Sequence, residues 1–230
     1  MTAGRPLKGT RVLVPRGGKW GDGVAASLRS HGASPVIAPI INFAPAETPE
    51  LLAAALARLE AGVYDWLVVT SATTVDVLVG NGIRPPASTR IAAVGETTAA
   101  ALSLSGYRVD FVPEGDNSAR GLVKEWPRDD VQGRVLVPQS DLAEPTLVAG
   151  LSERGFDAEF VSAYRTVGVE VAETVKAGVS SGEIGVILIT SGSVARQIAA
   201  QLAPSPPAPW WPASDRAPRS TPGPPACRST

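Results

Sequence analysis

Tyr164 lies in an extended run, Phe160 to Val171, and a phenol there could protonate a departing group or hydrogen-bond to it. The same placement suits a ring packed between two parts of the fold, and both readings stay open. Arg16 follows the apolar run Val12-Leu13-Val14-Pro15. That is the strand end at which open α/β sheets bind ligands, and a guanidinium there can fork onto a carboxylate. A solvated surface arginine is the alternative. Thr70-Ser71 and Thr190-Ser191 each stand between a strand pattern and a helix pattern. Their hydroxyls can donate to carboxylates or cap the helices, and a cap leaves the other first-turn N–H groups free for an anion.

Several further residues carry weaker signals. Arg120, Arg165 and Arg196 are secondary candidates for anion contacts, each with a solvated side chain as the alternative. Gln139 occupies the repeat position that matches Arg16, so one carboxylate contact is expected to be missing there. Gly17-Gly18 lacks the spacing of a phosphate-binding loop and reads as a flexible loop over the cleft. His31, before Gly32 at a helix end, reads as structural through the helix dipole. With one histidine and one cysteine, Cys227, the chain lacks the usual ligands of a zinc or transition-metal site, and it cannot form an intramolecular disulfide. The expected metal and cofactor content is none.

The elements that must hold these residues follow from hydrophobic periodicity. Short β-branched runs at 11–16, 65–71, 91–95, 134–138 and 184–191 alternate with helical patterns at 22–30, 49–59, 73–79, 97–104, 118–125, 146–154 and 193–202. This alternation predicts an α/β fold with parallel sheets covered on both faces. The 230 residues are 44% hydrophobic, enough for two domains, and 21 basic against 22 acidic side chains give no field favouring nucleic acid or a membrane. No apolar run is long enough to span a bilayer and the first residues lack a secretory pattern, so a cytoplasmic protein is expected.

The chain also repeats itself. Residues 11–40 share with 134–164 the plan strand, polar loop, helix, glycine cap and second extended run. Residues 64–79 likewise match 184–199, each a buried strand ending in Thr-Ser before a helix. The order of these units predicts a discontinuous domain, 1–38 plus 172–203, with a second domain, 39–171, inserted into it. Two extended crossings, about 36–45 and 160–171, would link them.

From Pro204 the character changes: nine of the 21 prolines fall in 204–230, beside Trp210 and Trp211, with no apolar periodicity. Composition reads this as an aberrant, disordered proline-rich tail. A frameshift is the other reading. In the frame that borrows the last base of each preceding codon, the segment permits a strand, a glycine and an alanine-rich helix on the plan of Ile91 to Asp110.

Taken together, Val14-Pro15-Arg16, Thr70-Ser71, Ala93-Val94-Gly95 with Thr97-Thr98, Val161-Ser162-Ala163-Tyr164-Arg165-Thr166 and Ile189-Thr190-Ser191 resemble the uroporphyrinogen-III synthase family over residues 8–203. The resemblance implies two similar flavodoxin-like parallel-sheet domains joined by a two-stranded linker, with substrate in the cleft between them. It implies a cofactor-independent hydro-lyase that takes hydroxymethylbilane, eliminates the terminal hydroxyl and closes the ring after inverting the last pyrrole through a spiro intermediate. Tyr164 is then the catalytic candidate, and Arg16, Ser71, Thr98, Ser140, Thr190 and Ser191 are the substrate-binding ones. The partner would be the linear tetrapyrrole, with no nucleic acid and no membrane, and the protein a monomer. Two rivals remain at this stage: a truncated, inactive member of the same family, and a two-domain protein that binds small anions. A nucleotide-dependent transferase fits poorly, since no glycine fingerprint is present.

Overall fold

The computed structural model describes residues 6–127 and 132–202. The aberrant tail, Cys227 included, lies outside the described residues.

The first strand, β1 (Arg11–Val14), leads through α1 (Gly18–Ser30) to β2 (Ser34–Ile37), which lies parallel beside it. Beyond β2 the chain enters a second sheet as β3 (Ile41–Pro45), followed by α2 (Pro49–Glu60), β4 (Trp66–Val69), α3 (Ala72–Gly80), β5 (Arg90–Ala93), α4 (Glu96–Leu104) and α5 (Ala119–Glu125). Then come β6 (Arg134–Ser140), α6 (Thr146–Glu153) and the twelve-residue β7 (Asp157–Gly168). The chain finally returns to the first sheet through α7 (Glu173–Ser180), β8 (Val186–Ile187) and α8 (Gly192–Gln201). The sheet orders are β2-β1-β8 and β3-β7-β6-β4-β5, parallel throughout except where β3 meets β7.

Burial explains why the α/β expectation holds. Trp66–Val69 is buried at all four positions, as a parallel strand covered on both faces must be. Its side chains alternate: Leu67 and Val69 join Leu56, Leu59 and Leu78 on one face, whereas Trp66 and Val68 join Trp126, Leu147 and Phe156 on the other. The Trp66 and Trp126 rings sit 4.8 Å apart. A smaller cluster of Leu13, Ile40, Val171, Ile184 and Val194 supports β1.

The strand β7 performs two tasks. Its first part pairs in parallel with β6, and Tyr164 to Gly168 pairs antiparallel with Pro45 to Ile41. At the changeover the register slips, so that Gln139 faces Ser162 while Ser140 faces Tyr164. A bulge of this kind re-aims the side chains beside it.

Three expectations are corrected. The helix α1 starts at Gly18 rather than Asp22, so Gly17-Gly18 forms the entry to a helix and not a loop over the cleft. The apolar run 184–191 pairs only at Val186 and Ile187, and Val186 and Ile189 are 41% and 64% exposed. Among the described residues β8 is the outer strand of its sheet, so the run lacks the cover that its composition implies. The helix α7 is absent from the periodicity reading because its polar, glycine-bearing sequence has only one buried residue, Gly178.

Two buried phenols give the fold an alkaline limit. The Tyr64 hydroxyl donates to Glu159 Oε2 at 2.6 Å and accepts from Arg58 Nε at 3.0 Å, and the Tyr107 hydroxyl donates to the Ile83 carbonyl at 2.9 Å. Burial pushes both phenols above the ordinary tyrosine value; Glu159 adds to this at Tyr64, and Arg84 opposes it at Tyr107. Unfolded tyrosines lose their protons first, at about pH 10. The unfolded chain then binds fewer protons than the folded one, so stability from these groups is intact below about pH 10 and falls as pH rises further. Urea midpoints measured from pH 8 to 11 should show this decline, and Tyr64→Phe with Tyr107→Phe should flatten it.

Candidate functional site

Between the two sheets, at the carboxyl ends of β1 and β6, lies a cleft of about 380 Å³. This is where ligands bind in open parallel sheets. One wall comes from the first sheet and carries Arg16, Ser191, Ser193 and Arg196; the other carries Ser71, Thr73, Ser140 and Glu144, and the β3 and β7 residues Phe43, Tyr164 and Thr166 cross between them.

The helices α3 and α8 both start at this cleft. Ser71 caps α3 by accepting from the Thr74 N–H at 3.2 Å, and Ser191 caps α8 by accepting from the Val194 N–H at 3.3 Å. Both serines are therefore caps, and the earliest first-turn amides, which have no intrahelical acceptor, remain directed to the cleft. Two positive helix ends and two arginines face one carboxylate, Glu144, so the lining favours anions.

Tyr164 stands at the junction. Its ring meets Phe43 edge-on at 5.2 Å and its hydroxyl lies 3.1 Å from Ser71 Oγ. Ser71 Oγ accepts from the Thr74 amide and also lies 3.0 Å from Thr74 Oγ1, so its own proton has two hydroxyl acceptors; when it goes to the tyrosine oxygen, the phenol proton is free to point at a ligand. The Arg16 guanidinium lies 5.2 Å from the Trp20 ring centroid and 5.4 Å from that of Phe43. Stacking of this kind holds a guanidinium in one plane without using up its hydrogen bonds. Below it, Ser140 Oγ donates to Asp141 Oδ1 at 2.9 Å and lies 3.0 Å from Thr166 Oγ1.

The position of Arg16 depends on a glycine. A Cβ at Gly21 would lie 2.1 Å from the Arg16 carbonyl oxygen, so α1 can pack over the end of β1 only if position 21 has no side chain. Gly21→Ala should therefore cost about 1–3 kcal/mol of stability in urea unfolding, the range for forcing atoms into a filled space.

The family model described as Uroporphyrinogen-III synthase HemD matches residues 22–211. The chain belongs to this family. A curated relative, the porphyrin biosynthesis protein HemD of Ruminiclostridium josui, is 30% identical over 208 residues. The match takes in 86% of this chain, which spans only 40% of that relative's length. Among solved structures, a mutant uroporphyrinogen III synthase from the extremely thermophilic bacterium Thermus thermophilus is similar in fold, with a TM-score of 0.61 at 20% identity over 83% of this chain and 76% of that one. The wild-type enzyme from the same organism, in another crystal form, gives 0.51 at 19% identity over 83% and 76%.

For a uroporphyrinogen-III synthase family member, the candidates fall unevenly about the cleft. Arg16, Ser71, Ser140, Tyr164, Ser191 and Arg196 line it. Thr98 does not: it is buried in α4, behind β5, at the edge of the sheet remote from β3 and β7. Thr190 is exposed and outside the lining, because the chain has already left the sheet after Ile187. Gln139 is buried and donates to Thr70 Oγ1 at 3.2 Å rather than facing the cleft. Arg120 lies in a separate groove with Lys124, and Arg165 Nε donates to the Pro45 carbonyl at 3.1 Å. His31 is the C-cap of α1, with Nδ1 2.8 Å from the Ser27 carbonyl oxygen. Sequence reasoning missed Phe43, Glu144 and Thr166. Phe43 and Thr166 fall within the two expected crossings, about 36–45 and 160–171, but nothing local marked either of them, or Glu144, as a cleft residue.

Among the described residues no helix is long and apolar enough to cross a membrane, and no three His, Cys, Asp or Glu side chains are grouped to hold a metal ion.

Proposed function

We propose that this chain catalyses the reaction for which its family is named, the cyclisation of hydroxymethylbilane to uroporphyrinogen III with loss of water. The observation that carries the reading is the convergence of two helix N-termini and two arginines on a cleft with a phenol at its centre. The substrate has eight carboxylates and a terminal hydroxymethyl group. The cleft supplies positive ends for the acids and, at Tyr164, a proton for the departing hydroxyl.

Tyr164 donates its proton as the carbon–oxygen bond breaks, and the electron pair of the adjoining pyrrole nitrogen stabilises the resulting cation. Attack by the substituted carbon of the last ring gives the spiro intermediate, which reopens and closes with that ring inverted. The proton released when the ring becomes aromatic again returns to the phenolate, so the enzyme is regenerated and only water is lost. The substrate carries its own electrophile, and the protein's main work is to hold the chain in the fold that leads to inversion. No cofactor is required by this chemistry.

Supplying hydroxymethylbilane to the purified chain and separating the isomers tests the proposal. Formation of the type III isomer well above the uninverted type I background is the expected result. A folded chain that leaves only type I would overturn it.

A further inference from the structure

The polar cleft does not end at Tyr164. Phe43, Thr73 and Tyr164 also line a second cavity of about 580 Å³, so the two spaces adjoin across these three side chains. The second space is different in kind. Its floor is Ala44 and Ala163, one wall is the first turn of α2 with Pro49, Leu52 and Ala53, and the other is a single face of α3. That face consists of Thr73, Asp76, Val77 and Gly80, spaced as one helical stripe. Apart from Tyr164, Asp76 is the one ionisable residue lining the chamber.

We propose that this chamber receives one pyrrole ring of the linear tetrapyrrole, its N–H edge toward Asp76 and its two carboxylate arms turned back into the arginine-bearing cleft. The inference rests on the reaction proposed above and assigns the substrate a second compartment within the same site. Three observations carry it.

The first is charge. The helix α3 presents its N-terminus to the cleft and its C-terminal half, with Gly80, to the chamber, so one helix sets a positive end against the acids and a negative end against the ring. A ring entering acids-first would bring its carboxylates to Asp76, a like charge; one entering by the other edge offers Asp76 a hydrogen-bond donor. The second is shape. The lining residues Ala44, Ala53, Ala163 and Gly80 are small, leaving a slot between two helices for a flat apolar body, within the usual size range of ligand sites, about 300–1,000 Å³. The third is continuity. Tyr164 borders both spaces, so a ring in the chamber keeps its linking carbon beside the proposed proton donor. The compartments thus favour one orientation of the bound ring, acids toward the cleft and N–H edge toward Asp76.

The test fills the slot from its rim. Ala53 is exposed on α2, and a Cβ at Gly80 would meet nothing within 4 Å, so neither site is closely packed. Ala53→Phe, Gly80→Leu and the control Ala57→Phe, on an exposed face of α2 outside the chamber, are compared with the unaltered chain in three measurements. These are the rate of type III formation, the Kd for a reduced octacarboxylate bilane that lacks the terminal hydroxymethyl group and so cannot cyclise, and the melting temperature. The expected result is a loss of at least tenfold in rate and in bilane affinity for both filling variants, with Ala57→Phe within twofold of the original. Whichever filling variant melts like the unaltered chain decides the matter if the other fails to fold. Unchanged rate and Kd in a folded filling variant would overturn the inference and leave the synthase reading intact. If the unaltered chain binds the bilane without forming type III, the synthase reading fails and the chamber is judged on the Kd alone. If it binds no bilane, both fail. An uncharged apolar dye, Nile red, that occupies the chamber and is not displaced by saturating bilane would mark it as a separate site and also overturn the inference.

Discussion

Replacing Tyr164 by phenylalanine is expected to lower kcat for type III formation about a hundredfold, within the range for loss of a positioned general acid, while KM changes by no more than a few-fold. The substitution preserves the ring that packs edge-on against Phe43, and it removes only the hydroxyl held 3.1 Å from Ser71. A hundredfold is about 2.7 kcal/mol of transition-state stabilisation. Because the uninverted closure needs no enzyme, the product mixture of Tyr164→Phe should shift to type I, which chromatography of the isomers resolves. If kcat falls less than threefold, Tyr164 is a packing residue that shapes the cleft and the proton comes from elsewhere. Ser71→Ala provides an internal comparison. It removes a cap, worth about 1 kcal/mol of stability, together with the hydroxyl that orients the phenol. It should therefore lower the melting temperature, which Tyr164→Phe should leave nearly unchanged.

The second large effect is expected at Arg16. Its guanidinium is stacked between Trp20 and Phe43 and faces the cleft, placed to grip a carboxylate with two parallel N–H groups. Arg16→Ala should raise KM about 10- to 100-fold, corresponding to the roughly 1.5–3 kcal/mol of a hydrogen bond to a charged group, with a smaller change in kcat. Arg16→Lys should recover only part of this loss, since lysine keeps the charge but loses both the planar stack and the fork. Measuring KM at several salt concentrations separates the two contributions. The alanine variant should lose salt dependence, whereas the lysine variant should keep it. Equal KM values for all three proteins would assign Arg16 to the surface. Arg196, exposed on α8, is expected to contribute less than Arg16.

Phe43 links these two predictions, for it touches Arg16 on one side and Tyr164 on the other. It belongs to β3 and reaches the cleft only because β3 pairs antiparallel with the second half of β7. The same pairing places Pro45 opposite Tyr164, next to the bulge that sets Ser140 against Tyr164. A contact of this kind depends on a register between segments more than a hundred residues apart. No local pattern around Phe43 contains that information.

The sequence by itself determined what short-range physics governs. Alternation and apolar runs placed the buried strands β1, β4, β5 and β6, and helical periodicity with capping residues placed seven of the eight described helices to within a few residues. The duplicated strand–helix plan announced two sheets, and Thr-Ser before an apolar helix announced the caps at Ser71 and Ser191. Each of these signals is carried by residues within a few positions of one another. Membership of the cleft was decided only by the tertiary structure. Thr98 has the same local signature as Ser71, a hydroxyl near the start of a helix after a buried strand, yet its strand lies at the far edge of the sheet and the residue is buried away from the site. Gln139 and Ser140 are neighbours on β6, but strand alternation and the slip in register bury the first and turn the second into the cleft. Sheet order, register and the approach of two sheets are long-range pairings, and they alone select which of several chemically similar side chains face one another.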